Sequence, residues 1–160
     1  MLLIQKRCAP RAHHDDELVL TFQLRSKSRL RTRLASGEEV GLFLERGSLL
    51  RGGDYLEADD GRIVRVLAAA EQLMHVAASE PSVLARAAYH LGNRHVPIEI
   101  GAGFVRFCAD SVLGRMIEGL GLTVIELEAP FEPEPGAYGG GHQHSDLPQR
   151  DGVIHQYRHA

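Results

Sequence analysis

Val83-Leu84-Ala85-Arg86-Ala87-Ala88-Tyr89-His90-Leu91-Gly92-Asn93-Arg94-His95-Val96-Pro97-Ile98-Glu99-Ile100-Gly101-Ala102-Gly103-Phe104-Val105-Arg106-Phe107 is the stretch that decides the fold. Val83, Leu84, Ala87, Ala88 and Leu91 fall at i, i+1, i+4, i+5 and i+8, an apolar stripe along one face of a helix. Ser79 is placed to cap its start, Pro81 suits a first turn, and Gly92 suits the C-terminal stop. Beyond the stop, Val96 to Ile100 and Phe104 to Phe107 flank Gly101-Ala102-Gly103, the pattern of a hairpin. Twenty-nine residues after the first stripe it recurs as Val112, Leu113, Met116, Ile117 and Leu120. Asp110 is a good N-cap for that second helix, and Gly119-Leu120-Gly121 ends it.

Strand candidates lie on either side, over 72–77 before the first helix and 122–127 after the second. The order strand, helix, strand, strand, helix, strand is the split-βαβ, ferredoxin-like plan. The repeated stripe fits it, because two βαβ halves each present one helix to the same sheet. Upstream, the first sixty-seven or so residues predict strands and turns. Leu18, Leu20, Phe22 and Leu24 alternate with Val19, Thr21 and Gln23, the period of a half-buried strand, and Val40, Leu42 and Leu44 repeat it. Turn signals at Ser36-Gly37, Arg46-Gly47-Ser48, Gly52-Gly53-Asp54 and Asp59-Asp60-Gly61 fit a small all-β unit. From Phe131 onward, Glu132-Pro133-Glu134-Pro135-Gly136 and Gly139-Gly140-Gly141 are rich in breakers and poor in apolar residues. The expected fold is therefore α+β: a β domain over 1–70, a ferredoxin-like domain over 71–130, and a flexible His-bearing tail over 131–160.

A chain of 160 residues, 44% hydrophobic and 24% charged, has the profile of a soluble globular protein with one domain or two small ones. It contains no run of eighteen apolar residues, and the charges of Met1-Leu2-Leu3-Ile4-Gln5-Lys6-Arg7 follow the apolar stretch, the reverse of a signal peptide. A cytoplasmic location is expected. A net charge of −3 argues against general nucleic-acid coating. Cys8 and Cys108 are too few and too far apart for a disulfide framework or a zinc motif.

The unusual count is nine histidines, of which four fall in the last nineteen residues. His142 and His144 stand one residue apart, and His155 and His159 follow. Neutral imidazole suits nickel, copper, zinc and iron, and spacing alone does not choose among them. A solvated tail with incidental histidines is the competing account. His90 falls in the last turn of the first helix, where a cation favours the helix dipole. His95 lies beyond Gly92 at the mouth of the next strand. One imidazole does not hold a metal tightly, but two copies facing each other across a twofold axis supply two. His13 and His14 sit in a polar stretch between strands, read as a surface loop, and His75 alternates with Met74 and Val76 as a satisfied strand histidine.

Arg25, Lys27, Arg29, Arg31 and Arg33 occupy every odd position over nine residues. In an extended strand all five leave from one face. Such a face is either solvated and neutralised by Glu38, Glu39 or other carboxylates, or a docking surface for an acidic protein or nucleic acid. Catalytic templates are missing: there is no Gly-x-Ser-x-Gly, no His-Glu-x-x-His and no phosphate loop. An enzyme is not expected.

Several strings together resemble the urease accessory protein UreE family of nickel metallochaperones. In the first domain these are Leu20-Thr21-Phe22, Lys27-Ser28-Arg29-Leu30-Arg31 and Val40-Gly41-Leu42-Phe43-Leu44-Glu45-Arg46-Gly47. In the second they are Ala88 to Pro97, Asp110-Ser111-Val112-Leu113 and Gly119-Leu120-Gly121-Leu122, followed by Pro130 to Tyr138 and the histidine tail. Tyr89-His90-Leu91-Gly92-Asn93-Arg94-His95 is the most specific of them. The resemblance implies a homodimer with a peptide-binding-like β domain and a ferredoxin-like metal domain. It implies that two copies of His95 share one Ni(II) at the dimer interface, that His142 and His144 complete or extend the site, and that Zn(II) or Cu(II) can occupy it. Urease apoprotein and the urease accessory GTPase complex are the implied partners. Ala109 and Ser111 stand where some members carry histidine, so no peripheral site is expected there. His90 matches a position next to the metal-binding one. The alternative is an RNA- or protein-binding ferredoxin-like module that uses the basic strand 25–33.

Overall fold

A computed structural model describes residues 1–135. The strands of the first unit are β1 (Leu2–Cys8), β2 (Asp16–Leu20), β3 (Arg29–Arg33), β4 (Glu39–Phe43), β5 (Tyr55–Ala58) and β6 (Ile63–Ala68), with one helical turn, α1 (Phe22–Arg25), between β2 and β3. They form a six-stranded sheet in the order β2-β6-β5-β1-β4-β3. β1 with β4 and β2 with β6 pair in parallel, and the other neighbours are antiparallel. Alternate residues point inward: Leu2 and Ile4, Leu18 and Leu20, Val40 and Leu42, Leu56 and Ala58, Val64 and Val66 make one core. Each turn signal read from the sequence carries a glycine in the left-handed region; Gly61, at φ +88°, closes the β5–β6 hairpin as an L side chain would not without strain.

The alternation from Leu18 to Leu24 is not one strand. β2 ends at Leu20, and the chain turns at Thr21 into α1. The cause is Arg25, fully buried, whose guanidinium donates to the carbonyls of Leu20, Leu50 and Phe131 and to Glu132. The row of cations over 25–33 therefore breaks. Arg29, Arg31 and Arg33 alone share the exposed face of β3, and Glu39 pairs with Arg31 and Arg33 at 2.8 Å each. Those contacts hold the Glu39 carboxyl below its usual range. Glu39 therefore offsets one of the three exposed charges, and with Arg25 turned inward the continuous basic row expected over 25–33 is reduced to Arg29, Arg31 and Arg33.

The second unit comprises β7 (Ala70–Ala77), α2 (Pro81–Gly92), β8 (Glu99–Gly101), β9 (Phe104–Cys108), α3 (Ser111–Gly119) and β10 (Ile125–Pro130). Its sheet runs β10-β7-β9-β8, antiparallel throughout. Helix and strand together make the fold α+β. Both helices pack on this sheet, with Ala87, Leu91 and Ile117 against Met74, Val76, Val105 and Phe107. The stripes hold apart from their first residues, and Val112 is 68% exposed on the opening turn of α3. Gly114 permits the close approach of α3 to β7, since a Cβ there meets the Met74 sulfur at 2.9 Å. Asp110 caps α3 by accepting from the Val112 and Leu113 amides at 2.8 and 3.0 Å. Ser79 does not cap α2, whose N-cap position is Glu80 with Pro81 at the first turn. The last strand begins at Ile125 rather than Leu122.

Phe131 to Pro135, assigned from the sequence to the tail, run against both units. Phe131 and Pro133 are buried, and the Phe131 ring meets Phe22 edge-on at 5.7 Å. No described helix is long and apolar enough to cross a membrane.

Candidate metal centre

Of the three residues expected to bind metal, His95 lies within the described part of the chain; His142 and His144 lie outside it, as do His155 and His159. The position of His95 follows from how α2 ends. Leu91 is fully buried in the core, and Val96 packs on the same cluster. To bring both inward, the chain reverses over Gly92 to Val96. The Val96 amide donates back to the Leu91 carbonyl at 3.3 Å, and the His95 amide donates to the Gly92 carbonyl at 2.9 Å. These two bonds form a Schellman closure, which needs a left-handed residue at its corner. That residue is His95, at φ +57°, the one described non-glycine residue with positive φ. Gly92, expected to supply the stop, instead remains the last residue of the helix.

A side chain in this conformation costs about 1–2 kcal/mol relative to the right-handed region. Such strain concentrates at functional positions. Here it presents an exposed imidazole on a corner closed by two backbone bonds, directly before Val96. The loop beyond is fixed too. Glu99 pairs with Arg106 at 3.3 Å and its other oxygen accepts from the Glu132 amide at 3.0 Å, while the Glu134 amide donates to the Ile98 carbonyl at 2.8 Å.

The remaining described histidines fall where local reasoning puts them. His90 occupies the last turn of α2, half-buried, with its ring edge-on to Tyr89 at 5.4 Å. His14 lies in the loop before β2, 3.3 Å from Glu17. His75 is half-buried in β7, its ring 5.0 Å from that of Phe104, and its Nδ1 accepts from Arg106 Nε at 3.0 Å. Burial, reinforced by the Arg106 charge, holds its pKa below the usual histidine value, so it is a neutral acceptor in a structural network. Among the described residues no three His, Cys, Asp or Glu side chains converge into a metal site. Cys108 is exposed at the end of β9, and partial desolvation with the nearby Glu71 charge holds its thiol above the usual range.

Sequence reasoning missed the cluster on the far side of the Phe131–Pro135 segment. Glu132 accepts from Arg25 at 2.8 Å, Arg51 at 3.0 Å and the Gly52 amide at 2.7 Å. The donors hold its carboxyl below the usual range even though burial works the other way. No spacing in the sequence links residues this far apart.

Residues 3–69 match the family model for the N-terminal domain of the UreE urease accessory protein, and residues 71–159 match the model for its C-terminal domain. The urease accessory protein UreE of Ectopseudomonas mendocina is 58% identical over 146 residues, covering 91% of this chain and 88% of that protein. Its counterpart in Pseudomonas fluorescens strain SBW25 is 57% identical with the same coverage. That of Pseudomonas savastanoi pv. phaseolicola is 55% identical over 152 residues, covering 94% and 92%. Matched end to end by both domain models and by relatives at this level of identity, the chain belongs to the urease accessory protein UreE family.

Proposed function

We propose that this protein is a metallochaperone of urease maturation that carries Ni(II) between the His95 side chains of two copies of the chain. It is an accessory protein and not an enzyme. The observation that carries the site is His95 itself: an exposed imidazole held at positive φ on the corner between α2 and β8. One such ligand is too few for tight binding, and an isologous dimer doubles it. His142 and His144, in the tail over 131–160, supply further imidazoles to the same ion. Zn(II) and Cu(II) suit the same donors. The antiparallel order β10-β7-β9-β8, with both helices packed on the sheet, supports a ferredoxin-like metal domain after the β domain. Urease apoprotein and the urease accessory GTPase complex are the proposed partners, met in the cytoplasm.

Calorimetric titration of nickel into the wild-type chain and into His95→Ala tests the assignment. The variant is expected to lose the tightest site. Equal affinity with unchanged stoichiometry in the variant would overturn it. Protons compete with metal for imidazole, so binding also weakens on acidification. A flat profile between pH 5 and 8 would point to carboxylate ligands.

A further inference from the structure

His75 has a hydrogen-bond partner for its ring nitrogen and His90 an aromatic neighbour. Among the described residues the exposed ring of His95 has neither. Histidines that hold metal are ordinarily oriented by a partner on the second ring nitrogen. The direction of His95 depends instead on the backbone beneath it. On the α2 side the amide bonds of His95 and Val96 close that backbone. On the other side Val96 and Ile98 pack on the core, but no strand begins before Glu99. β8 is then only three residues long and forms the edge of its sheet. So short an edge strand opens easily unless something beyond its ladder holds it.

Glu99 supplies that hold. Arg106 Nη1 donates to its Oε1 at 3.3 Å, and its Oε2 accepts from the Glu132 amide at 3.0 Å. Arg106 is itself fixed, with Nε on His75 Nδ1 at 3.0 Å and its guanidinium 4.3 Å from the centre of the Phe104 ring. The pair is mostly buried, with side-chain exposures of 23% for Arg106 and 17% for Glu99, so salt screens it little. The Glu132 amide belongs to the segment leaving β10, which the first unit grips through Arg25 and Arg51. One residue before Glu99, the Ile98 carbonyl accepts from the Glu134 amide of the same segment at 2.8 Å. One carboxylate thus joins the sheet of the second unit to this segment and, through it, to the first unit. It does so four residues after His95, at most about 14 Å along the chain.

We infer that Glu99 is a positioning residue for the His95 site: by tying the chain beyond the corner to Arg106 and to the Glu132 amide, it fixes the direction from which the imidazole meets the ion. This rests on the reading that His95 holds the metal. Apparent affinity scales with the fraction of chains in the binding geometry. Loss of one hold of this strength leaves the corner correctly placed in about a third of chains. An ion shared by two copies meets that factor twice, so Glu99→Ala is expected to weaken nickel binding about tenfold.

The test is a double-mutant cycle in the full-length chain, with nickel affinity read by chelator competition. Glu99→Ala is made with His95 present and again with His95→Ala. The expected result is a loss of about tenfold with His95 present and no further loss without it. Metal-free Glu99→Ala is also expected to exchange the His95 and Val96 amides faster than wild type. Unchanged affinity, an equal loss in both backgrounds, or unchanged exchange at those two amides overturns the inference. Glu99→Gln keeps an acceptor for the Glu132 amide and gives up the charge on Arg106. It repeats the cycle should Glu99→Ala fold poorly; a loss of about threefold is expected, and no loss overturns the inference. If His95→Ala alone leaves affinity unchanged, the His95 reading fails and the inference falls with it. If His95→Ala loses the site and Glu99→Ala does not weaken it, the inference alone falls.

Discussion

Replacing His95 by glycine separates what this residue costs the fold from the metal-binding role proposed for it. The corner between α2 and β8 needs positive φ, and His95 meets it at +57°. Relief of a left-handed side chain returns about 1–2 kcal/mol. Glycine offsets about 0.5–1 kcal/mol of that through the greater freedom of the unfolded chain. The net expectation for His95→Gly without metal is a gain of about 0.5–1 kcal/mol. For a chain of this size that is a rise in Tm of about 1–4 °C. His95→Ala keeps the strained corner and stays close to wild type. With nickel the order inverts. If His95 is the ligand, nickel at a free concentration of a hundred times Kd is expected to stabilise the wild-type chain by about 2.7 kcal/mol and the glycine variant not at all. The assay is thermal unfolding by circular dichroism at one protein concentration, in EDTA and then in nickel, for His95, His95→Gly and His95→Ala. A glycine variant no more stable than wild type in EDTA would refute the strain argument. A glycine variant stabilised by nickel as much as wild type would refute the ligand assignment.

Asp110→Ala removes the acceptor for the Val112 and Leu113 amides and is expected to cost about 1 kcal/mol in urea unfolding, with metal affinity little changed. His75 has a folded-state pKa below its unfolded value, so its contribution is complete above about pH 6.5 and is lost as pH falls through the folded value. His75→Gln should therefore flatten the decline of the urea midpoint between pH 7 and 5.5, and an unchanged slope would locate that decline elsewhere. Gly101→Ala places a Cβ 2.1 Å from the Phe104 ring, which lies against His75 and Arg106; a loss of about 1–3 kcal/mol in thermal stability is expected. Faster amide exchange in the β8–β9 hairpin of that variant would place the loss there.

The features legible in the sequence are those whose causes lie within a few residues. The α3 cap is one: Asp110 meets the amides of Val112 and Leu113, two and three positions on. The Gly101-Ala102-Gly103 turn and the four turn signals of the first unit are others, since a residue able to take positive φ announces a reversal by its own chemistry. The apolar stripe of α2 is a third, and it placed His95 just past the helix. The pairing of β1 with β4 in parallel and with β5 antiparallel was beyond reach, because alternation marks a strand without naming its neighbour.

Legible in the chain alone were the helices, strands and hairpin of the second unit, the turns of the first, and the exposed imidazole just past α2, because helix periodicity, capping and turn chemistry act over one or two turns of chain. The tertiary structure alone decided the rest. Periodicity put Arg25 outward with the other odd-numbered cations. Burial against Leu20, Leu50, Phe131 and Glu132 turned it inward, and the strand ended early to allow it. Composition gave Phe131 to Glu134 to the tail; a fully buried phenylalanine and an acid with three donors tied them to the folded units. Gly92 looked like the helix stop, but the demand that Leu91 and Val96 share one core moved the left-handed corner to His95. In each case a partner distant in the chain, or a side chain that had to be buried, outweighed a local preference of about 1 kcal/mol.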